Sequence, residues 1–246
     1  GAPLEPASCD RTPNLEPVSG HRFVNLDKYT TQKCTGDVQA HEIDLTTGAV
    51  LPTVIWSAQG LLDTTTNAAC DNRNIYLLRP GATNNLVNFS WNTRRCNGSG
   101  MPTGSADTGL NATEQGNFNG TNITLFSQYP SMTDGTLATV DQRSIAGGAN
   151  LVNFLRGQRG LEGFVANTAK LYRAREHVLG DTVNGQPIYV RAPFGSSGHT
   201  GSAAFTLAQA PSTTSLYIPA HRGSPQAVAD RTPPPHRHAA TARWAP

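Results

Sequence analysis

The chain has 246 residues, 37% hydrophobic and 15% charged, with 24 Gly, 17 Pro and a formal net charge of +2. It lacks the Ala/Glu/Lys/Leu/Arg excess of a coiled coil, the charge imbalance of a disordered chain and the run of about 20 apolar residues that a transmembrane helix needs. An isoelectric point near 8.4 and a mean hydropathy of −0.38 would by themselves suggest an anionic partner. The charge is unevenly placed, however. Arg222, Arg231, Arg237 and Arg243 against Asp230 give the segment after residue 220 a net +3, which leaves residues 1–220 at −1. A nucleic-acid surface on the body has no compositional support.

Four cysteines, Cys9, Cys34, Cys70 and Cys96, lie in the first hundred residues. Their wide spacing is unlike the CxxC pairs of zinc sites. An even count suits two disulfides in an oxidising compartment. Four cysteines allow three connectivities; the favoured pairing is the local one, Cys9 with Cys34 and Cys70 with Cys96, and four reduced thiols are the alternative. The chain opens Gly1-Ala2-Pro3-Leu4-Glu5-Pro6, with neither a basic start nor an apolar h-region, and so reads as a piece whose signal peptide, if any, lies upstream.

Residues 1–22 are polar and Pro-rich and read as an N-terminal arm. From Gly36 to Leu45 the apolar residues Val38, Ala40, Ile43 and Leu45 nearly alternate, with one slip where a bulge fits. Thr46-Thr47-Gly48 closes the strand as a turn, and residues 49–56 resume as its partner, with Val50, Val54, Ile55 and Trp56 expected to be buried. A short helix is predicted over Trp56 to Leu62, then strands at residues 74–79 and 86–91. Residues 97–135, rich in Asn, Gly, Thr and Ser, read as a long loop insertion with one strand at Ile123-Thr124-Leu125-Phe126. Leu151, Phe154 and Leu155 share a helical face, which predicts a helix from Ser144 to Arg156 that Gly157 stops; a second helix is expected near residues 166–175. Strands at residues 187–190 and 215–218 end the body. Residues 221–246 hold five Pro, four Arg and three His and read as a flexible basic tail, with His236-Arg237-His238 its one metal-capable tract. Strands at hairpin spacing predict an all-β sandwich, barrel or propeller.

Motifs of nucleophilic, nucleotide-binding or metal chemistry are missing: there is no HExxH, Walker A loop, GxGxxG or calcium loop. Gly195-Ser196-Ser197-Gly198 lacks the strand–elbow–helix context of a hydrolase serine. Five N-x-[ST] triplets, at Asn88, Asn97, Asn111, Asn119 and Asn122, are what an Asn- and Thr-rich chain generates by composition.

Two segments carry a family resemblance. Gly36-Asp37-Val38-Gln39-Ala40-His41-Glu42-Ile43-Asp44-Leu45-Thr46-Thr47-Gly48, followed by Trp56, resembles a blade of a quinoprotein-like β-propeller. Leu151-Val152-Asn153-Phe154-Leu155-Arg156-Gly157-Gln158-Arg159, then Tyr172-Arg173-Ala174-Arg175 and Leu179-Gly180-Asp181 through Asn184 to Pro187-Ile188-Tyr189-Val190, closely resembles the PilC/PilY family of type IV pilus assembly and tip-adhesin proteins. The resemblance covers residues 23–218. Gln158 and Gly185 depart from the family, which commonly has Asp and Ser there.

The resemblance implies a mainly β chain, part of a quinoprotein-like β-propeller with short helical insertions, incomplete at both ends, over residues 23–220. It implies a non-catalytic cell-surface or extracellular component of pilus biogenesis and adhesion that has passed through the periplasm, with pilin or minor pilins and a host surface as partners. No cofactor is expected in this chain; the family's calcium loop would lie downstream. Arg156, Gly157, Arg159, Arg173, Arg175, Leu179, Gly180, Asp181, Asn184, Pro187 and Tyr189 are the motif residues, read as structural, with Asp181 and Asn184 in a turn that needs no ligand. The family pattern ends at Ala220, where His221-Arg222-Gly223 replaces its expected continuation, so the tail reads as non-native. A partial propeller would expose sheet edges and self-associate. The competing classes are a quinoprotein-type oxidoreductase, for which repeated blade motifs are lacking, and a secreted carbohydrate-binding module.

Overall fold

The computed structural model describes residues 23–30, 35–81, 86–125, 129–132, 141–163, 171–180, 188–190, 199–209, 214–218, 226–231 and 242–245. In chain order the elements are β1 (Phe23–Thr30), β2 (Thr35–Ile43), β3 (Val50–Ser57), α1 (Ala58–Thr65), β4 (Asn74–Leu78), β5 (Leu86–Asn88), β6 (Thr93–Cys96), β7 (Pro102–Asp107), α2 (Ala112–Gly116), α3 (Gly120–Ile123), α4 (Gln142–Ile145), α5 (Gly148–Leu155), β8 (Ile188–Val190), α6 (Ser202–Gln209), β9 (Thr214–Ile218), β10 (Gln226–Arg231) and β11 (Ala242–Ala245). The chain is mainly β, built of small antiparallel sheets with short helices between them. It divides into two compact units: residues 1–58 with 180–244, and residues 59–179 with 245–246. No described helix is long and apolar enough to cross a membrane.

In the first unit β1, β2 and β3 form an antiparallel sheet in that order, and β8 and β10 flank β9, both antiparallel to it. The β2–β3 hairpin follows the pattern read from the sequence. Val38 and Ala40 are fully buried, and the pairing register shifts between Ala40 and Ile43, where the alternation slips. The turn is built around Asp44. Its carboxylate accepts from the Thr46 and Thr47 amides at 2.8 and 3.3 Å, its carbonyl accepts from Gly48 N at 2.7 Å, and its own amide donates to Ala49 O at 2.9 Å. Gly48 has φ +71°, a conformation that costs glycine little because it has no Cβ. The expected burial of β3 is corrected: Val50, Val54 and Ile55 are 37–46% exposed and Trp56 is half-buried. Val54 and Ile55 are adjacent and both are exposed, so the apolar run of β3 is not covered there among the described residues.

In the second unit α1 ends at Thr64-Thr65-Thr66, whose hydroxyls donate back to the carbonyls of Leu61 and Leu62, a side-chain competition that terminates helices. β4 pairs with β5 and β6 with β7. The β6–β7 turn is closed by Asn97, whose side-chain oxygen accepts from the amides of Ser99 and Met101, each at 2.9 Å. Helix α2 starts on a capping box between Asn111 and Glu114, and Glu114 also pairs with Arg79. The apolar core here is Ile123, Ala146, Leu151 and Leu171, ringed by Phe118, Tyr129, Ile145, Phe154, Leu161 and Tyr172 among others.

Several sequence expectations change here. Residues 97–135 contain β7, α2 and α3. The strand expected at Ile123–Phe126 is instead the end of α3 and a turn through Leu125, held by Thr124 Oγ1 donating to Thr121 O at 2.6 Å; Phe126 lies outside the described residues. The helix expected from Ser144 to Arg156 is two helices, α4 and α5, broken at Gly147-Gly148, where Gly148 takes φ +65°. The break re-aims α5, so that Val152 is fully buried and Leu155 is 48% exposed. Residues 171–175 are not helical: Tyr172 forms a bridge with Glu162, and residues 164–170 lie outside the described residues. In the segment read as a flexible tail, Gln226–Arg231 is a strand paired with β9 and Ala242–Ala245 is another; Ala227-Val228-Ala229, lying between Pro225 and Pro233, is the apolar stretch that the compositional reading passed over. His236-Arg237-His238 is outside the described residues.

The Thr46 and Thr47 amides hold the Asp44 carboxyl below its ordinary value of 3.8. A folded value below the unfolded one makes the turn's contribution complete above pH 3.8 and lost as pH falls through the lower folded midpoint. An NMR titration should therefore place the Asp44 carboxyl midpoint below 3.8; a midpoint at or above that value contradicts the turn geometry.

Candidate functional site

The residues of the L-R-G-Q-R segment converge on one buried carboxylate in the second unit. Asp71 is fully buried and follows Cys70, which is disulfide-bonded to Cys96 at a Cα separation of 5.2 Å. This is the second bridge of the local pairing read from the sequence; Cys9 and Cys34 lie outside the described residues. Asn72 closes the same junction, with its side chain donating to Cys96 O at 3.1 Å and accepting from Cys96 N at 3.0 Å.

Arg156 caps the C-terminus of α5 and reaches back to Asp71. Its Nε donates to Asp71 Oδ2 at 3.1 Å and its Nη2 to Asp71 Oδ1. The remaining donors go to carbonyls: Nη1 to Phe89 O at 2.6 Å and Nη2 to Arg73 O at 2.8 Å. Gln158 Nε2 donates to Asp71 Oδ2 at 3.0 Å, and Arg73 N to Oδ1 at 3.1 Å. The carboxylate thus accepts four hydrogen bonds, about its full capacity. Arg73 returns a bond to the segment, Nη1 to Arg156 O at 2.5 Å. Burial lowers its guanidinium to about 9, partly offset by Asp71.

A second buried carboxylate, Glu162, serves Arg175. Arg175 Nε donates to Glu162 Oε1 at 2.6 Å and its backbone amide to Oε2 at 3.0 Å. The other guanidinium nitrogens hold the motif's backbone, at Phe154 O (2.9 Å) and Gln158 O (3.1 Å). The same guanidinium lies 4.0 Å over the Phe154 ring, and Phe154 stacks on Tyr172 with centroids 4.4 Å apart. Burial pushes the Arg175 guanidinium down, and Glu162 opposes the shift. Arg159 donates through Nη2 to Arg175 O and Glu176 O. His177 Nδ1 lies 2.6 Å from Asp63 Oδ2, and Asp63 Oδ1 accepts from Val178 N at 2.9 Å, which ties the segment to α1.

Gly157 has φ +110°, and a Cβ there would stand 2.8 Å from Val178 Cγ1, 2.9 Å from Arg73 Nη1 and 3.0 Å from Thr66 Cγ2. Both the backbone conformation and the space require glycine. Leu179 is 2% exposed. Gly180, in the first unit, accepts from Gly36 N of the same unit at 3.2 Å through its carbonyl. Arg173 is exposed. Tyr189 pairs with Leu216 across β8 and β9. Asp181, Asn184 and Pro187 lie outside the described residues.

The structure therefore brings together Arg156, Gly157, Arg159 and Arg175, and adds Asp71, Arg73, Phe154, Glu162 and Tyr172, which the motif reading leaves out. The clue to Asp71 is its place next to a cysteine; Glu162 carries none. Gln158, the departure from the family pattern, gives Asp71 an amide donor where an acid would set a second carboxylate against it. Among the described residues no three His, Cys, Asp or Glu side chains come together as a metal site.

Removing one partner of a buried pair leaves an uncompensated charge, so Arg156→Met should cost about 3–5 kcal/mol. Gly157→Ala should cost about 2–4 kcal/mol from positive φ and overpacking together, while Arg173→Ala stays within about 0.5 kcal/mol. Urea unfolding checks all three; wild-type stability for Arg156→Met contradicts the cluster. The Cys70–Cys96 separation of 26 residues predicts about 3.5 kcal/mol from loop closure, to be read as the stability lost in the Cys70→Ser/Cys96→Ser double variant.

No family model matches the chain, and no solved structure matches it. Over 106 residues, 40% of this chain, it is 34% identical to a protein named type IV pilus biogenesis factor PilY1 homolog from Xylella fastidiosa, of which the match covers 8%. Over 156 residues, 63% of this chain, it is 28% identical to the type IV pilus biogenesis factor PilY1 of Pseudomonas aeruginosa, of which the match covers 10%. The chain spans about a tenth of the length of these relatives. The PilC/PilY resemblance carried by its motifs is thus matched by curated relatives of that name: the chain is similar to PilY1 type IV pilus biogenesis factors.

Proposed function

We propose that the chain is a non-catalytic, propeller-type segment of a cell-surface type IV pilus biogenesis and adhesion protein. Its partners in this reading are pilin or minor pilins and a host surface, reached after passage through the periplasm. The observation that carries the proposal is the use made of the motif's ionisable groups. Arg156, Arg159 and Arg175 hold buried carboxylates and backbone carbonyls of their own unit, an arrangement that fixes a scaffold. The names of the relatives support the pilus setting. The β2–β3 hairpin, with its buried Ala40 and its Asp44–Gly48 turn, supports the blade.

The test is made in the full-length parent expressed in a piliated host. Arg156→Met should lower surface pili, counted by electron microscopy, and surface attachment severalfold, whereas Arg173→Ala leaves both unchanged. Wild-type piliation with Arg156→Met, at wild-type protein level, overturns the scaffold reading. Dye reduction by the purified chain supplied with pyrroloquinoline quinone and calcium overturns the non-catalytic one.

A further inference from the structure

Beside the arginine cluster the second unit has a cleft of about 390 Å³, walled by Ala68, Ala69, Asn150, Phe154, Gln158 and Tyr172 among others. That volume falls within the range of small-molecule sites. We propose that this cleft binds a neutral, hydroxyl-rich ligand, one or two pyranose rings of a glycan.

The chemistry of the walls selects the ligand class. Among the described residues Tyr172 is the one ionisable side chain in the lining, and burial raises its phenol, so this described wall carries no charge at physiological pH. Asp71 and Glu162 are each fully buried and already matched by guanidinium groups. A charged ligand would lose its hydration in the cleft and find no counter-charge on the wall.

The polar groups that remain are amides of fixed orientation. Asn150 Nδ2 donates to Ile145 O at 2.9 Å and Gln158 Nε2 to Asp71 at 3.0 Å. Each amide therefore commits one N–H to the protein, which fixes its orientation. Their oxygens meet no donor among the described residues, and neither oxygen is an enclosed atom. Two acceptors held in place suit ligand hydroxyls. Phe154 and Tyr172 supply an aromatic wall; Phe154 is sandwiched between Arg175 and Tyr172 and so backs Tyr172, whose ring is left to meet the polarised C–H groups of a sugar. That wall is ordered before any ligand arrives: Arg175 lies against Phe154, Phe154 stacks on Tyr172, and the Tyr172 hydroxyl donates to Ala146 O at 3.0 Å. A preformed wall lowers the ordering cost of binding.

The cleft is argued without the pilus role, and a direct binding measurement separates the two. The 246-residue chain, labelled with ¹⁵N, is titrated by NMR with N,N′-diacetylchitobiose, methyl α-mannoside and methyl β-galactoside, and in parallel with sialyllactose and the peptide Gly-Ser-Gly-Ser-Gly-Ser. At least one neutral saccharide should shift the Asn150 and Gln158 side-chain amides saturably, with a Kd of about 10 mM or tighter. Ala69→Trp, an exposed rim position, should weaken that binding at least about tenfold while the rest of the spectrum stays native; Ala69→Lys serves if the Trp variant does not fold. Silence of all three neutral saccharides to about 50 mM, binding of the peptide or sialyllactose alone, or shifts that the Ala69 variants leave untouched would each overturn the proposal.

Discussion

The second unit depends on a carboxylate that has been taken out of water. Asp71 is fully buried, and a buried ion costs several kcal/mol in lost hydration before any contact repays it. The repayment is near complete, because Arg156 engages both of its oxygens while Arg73 N and Gln158 fill the rest. Three of these four donors come from Arg156 and Gln158, 85 and 87 positions away, so one anion sets the relative positions of α5, the loop after α1 and the strand that follows it. An apolar cluster of the same volume would be comparably stable or more so. It would not discriminate among registers, because apolar contacts have no direction. Glu162 does the same work a few residues on, ordering the backbone of residues 154–158 through Arg175.

This arrangement also separates the scaffold from the surface. Arg156 and Arg175 of the motif point inward, the neighbouring cleft is walled by alanine, amide and aromatic groups, and Arg173 is exposed. Strong charge is thus concentrated where it fixes geometry. A surface whose shape is fixed from behind can vary its outward residues at little cost to the fold, since exposed substitutions away from such contacts change stability by only about 0.5 kcal/mol.

The parts of the chain legible in the sequence were those where one local rule decides. The Asp44–Gly48 turn, the bulge in β2, the β8 and β9 strands and the Cys70–Cys96 bridge follow from turn chemistry, alternation and an even cysteine count. The losses have physical causes. Ile123-Thr124-Leu125-Phe126 alternates as a strand does, but Ile123 is drawn into the core beside Ala146 and Leu151, and tertiary burial overrides so short a pattern. The α4–α5 break turns on positive φ at Gly148, which periodicity does not register. Glu162 carries no sequence signal and Asp71 only its place beside Cys70, because a single acid outside a motif reads as surface; their meaning comes from arginines 85 and 13 positions away.

The hydrogen bond from Gly36 to Gly180 bears on the order in which the chain can assemble. The first unit is discontinuous, made of residues before 59 and after 179, with nearly all of the second unit inserted between them. A ribosome therefore delivers β1, β2 and β3 long before β8 and β9 exist, while the inserted unit emerges as one continuous stretch. Chains fold domain by domain as they are synthesised, and a strand whose partner lies after residue 179 must wait for that partner to emerge. The Gly36–Gly180 bond closes a loop of about 144 residues, and because the entropy of closure grows only with the logarithm of that length, the long insertion adds little to the cost of joining the two parts of the first unit.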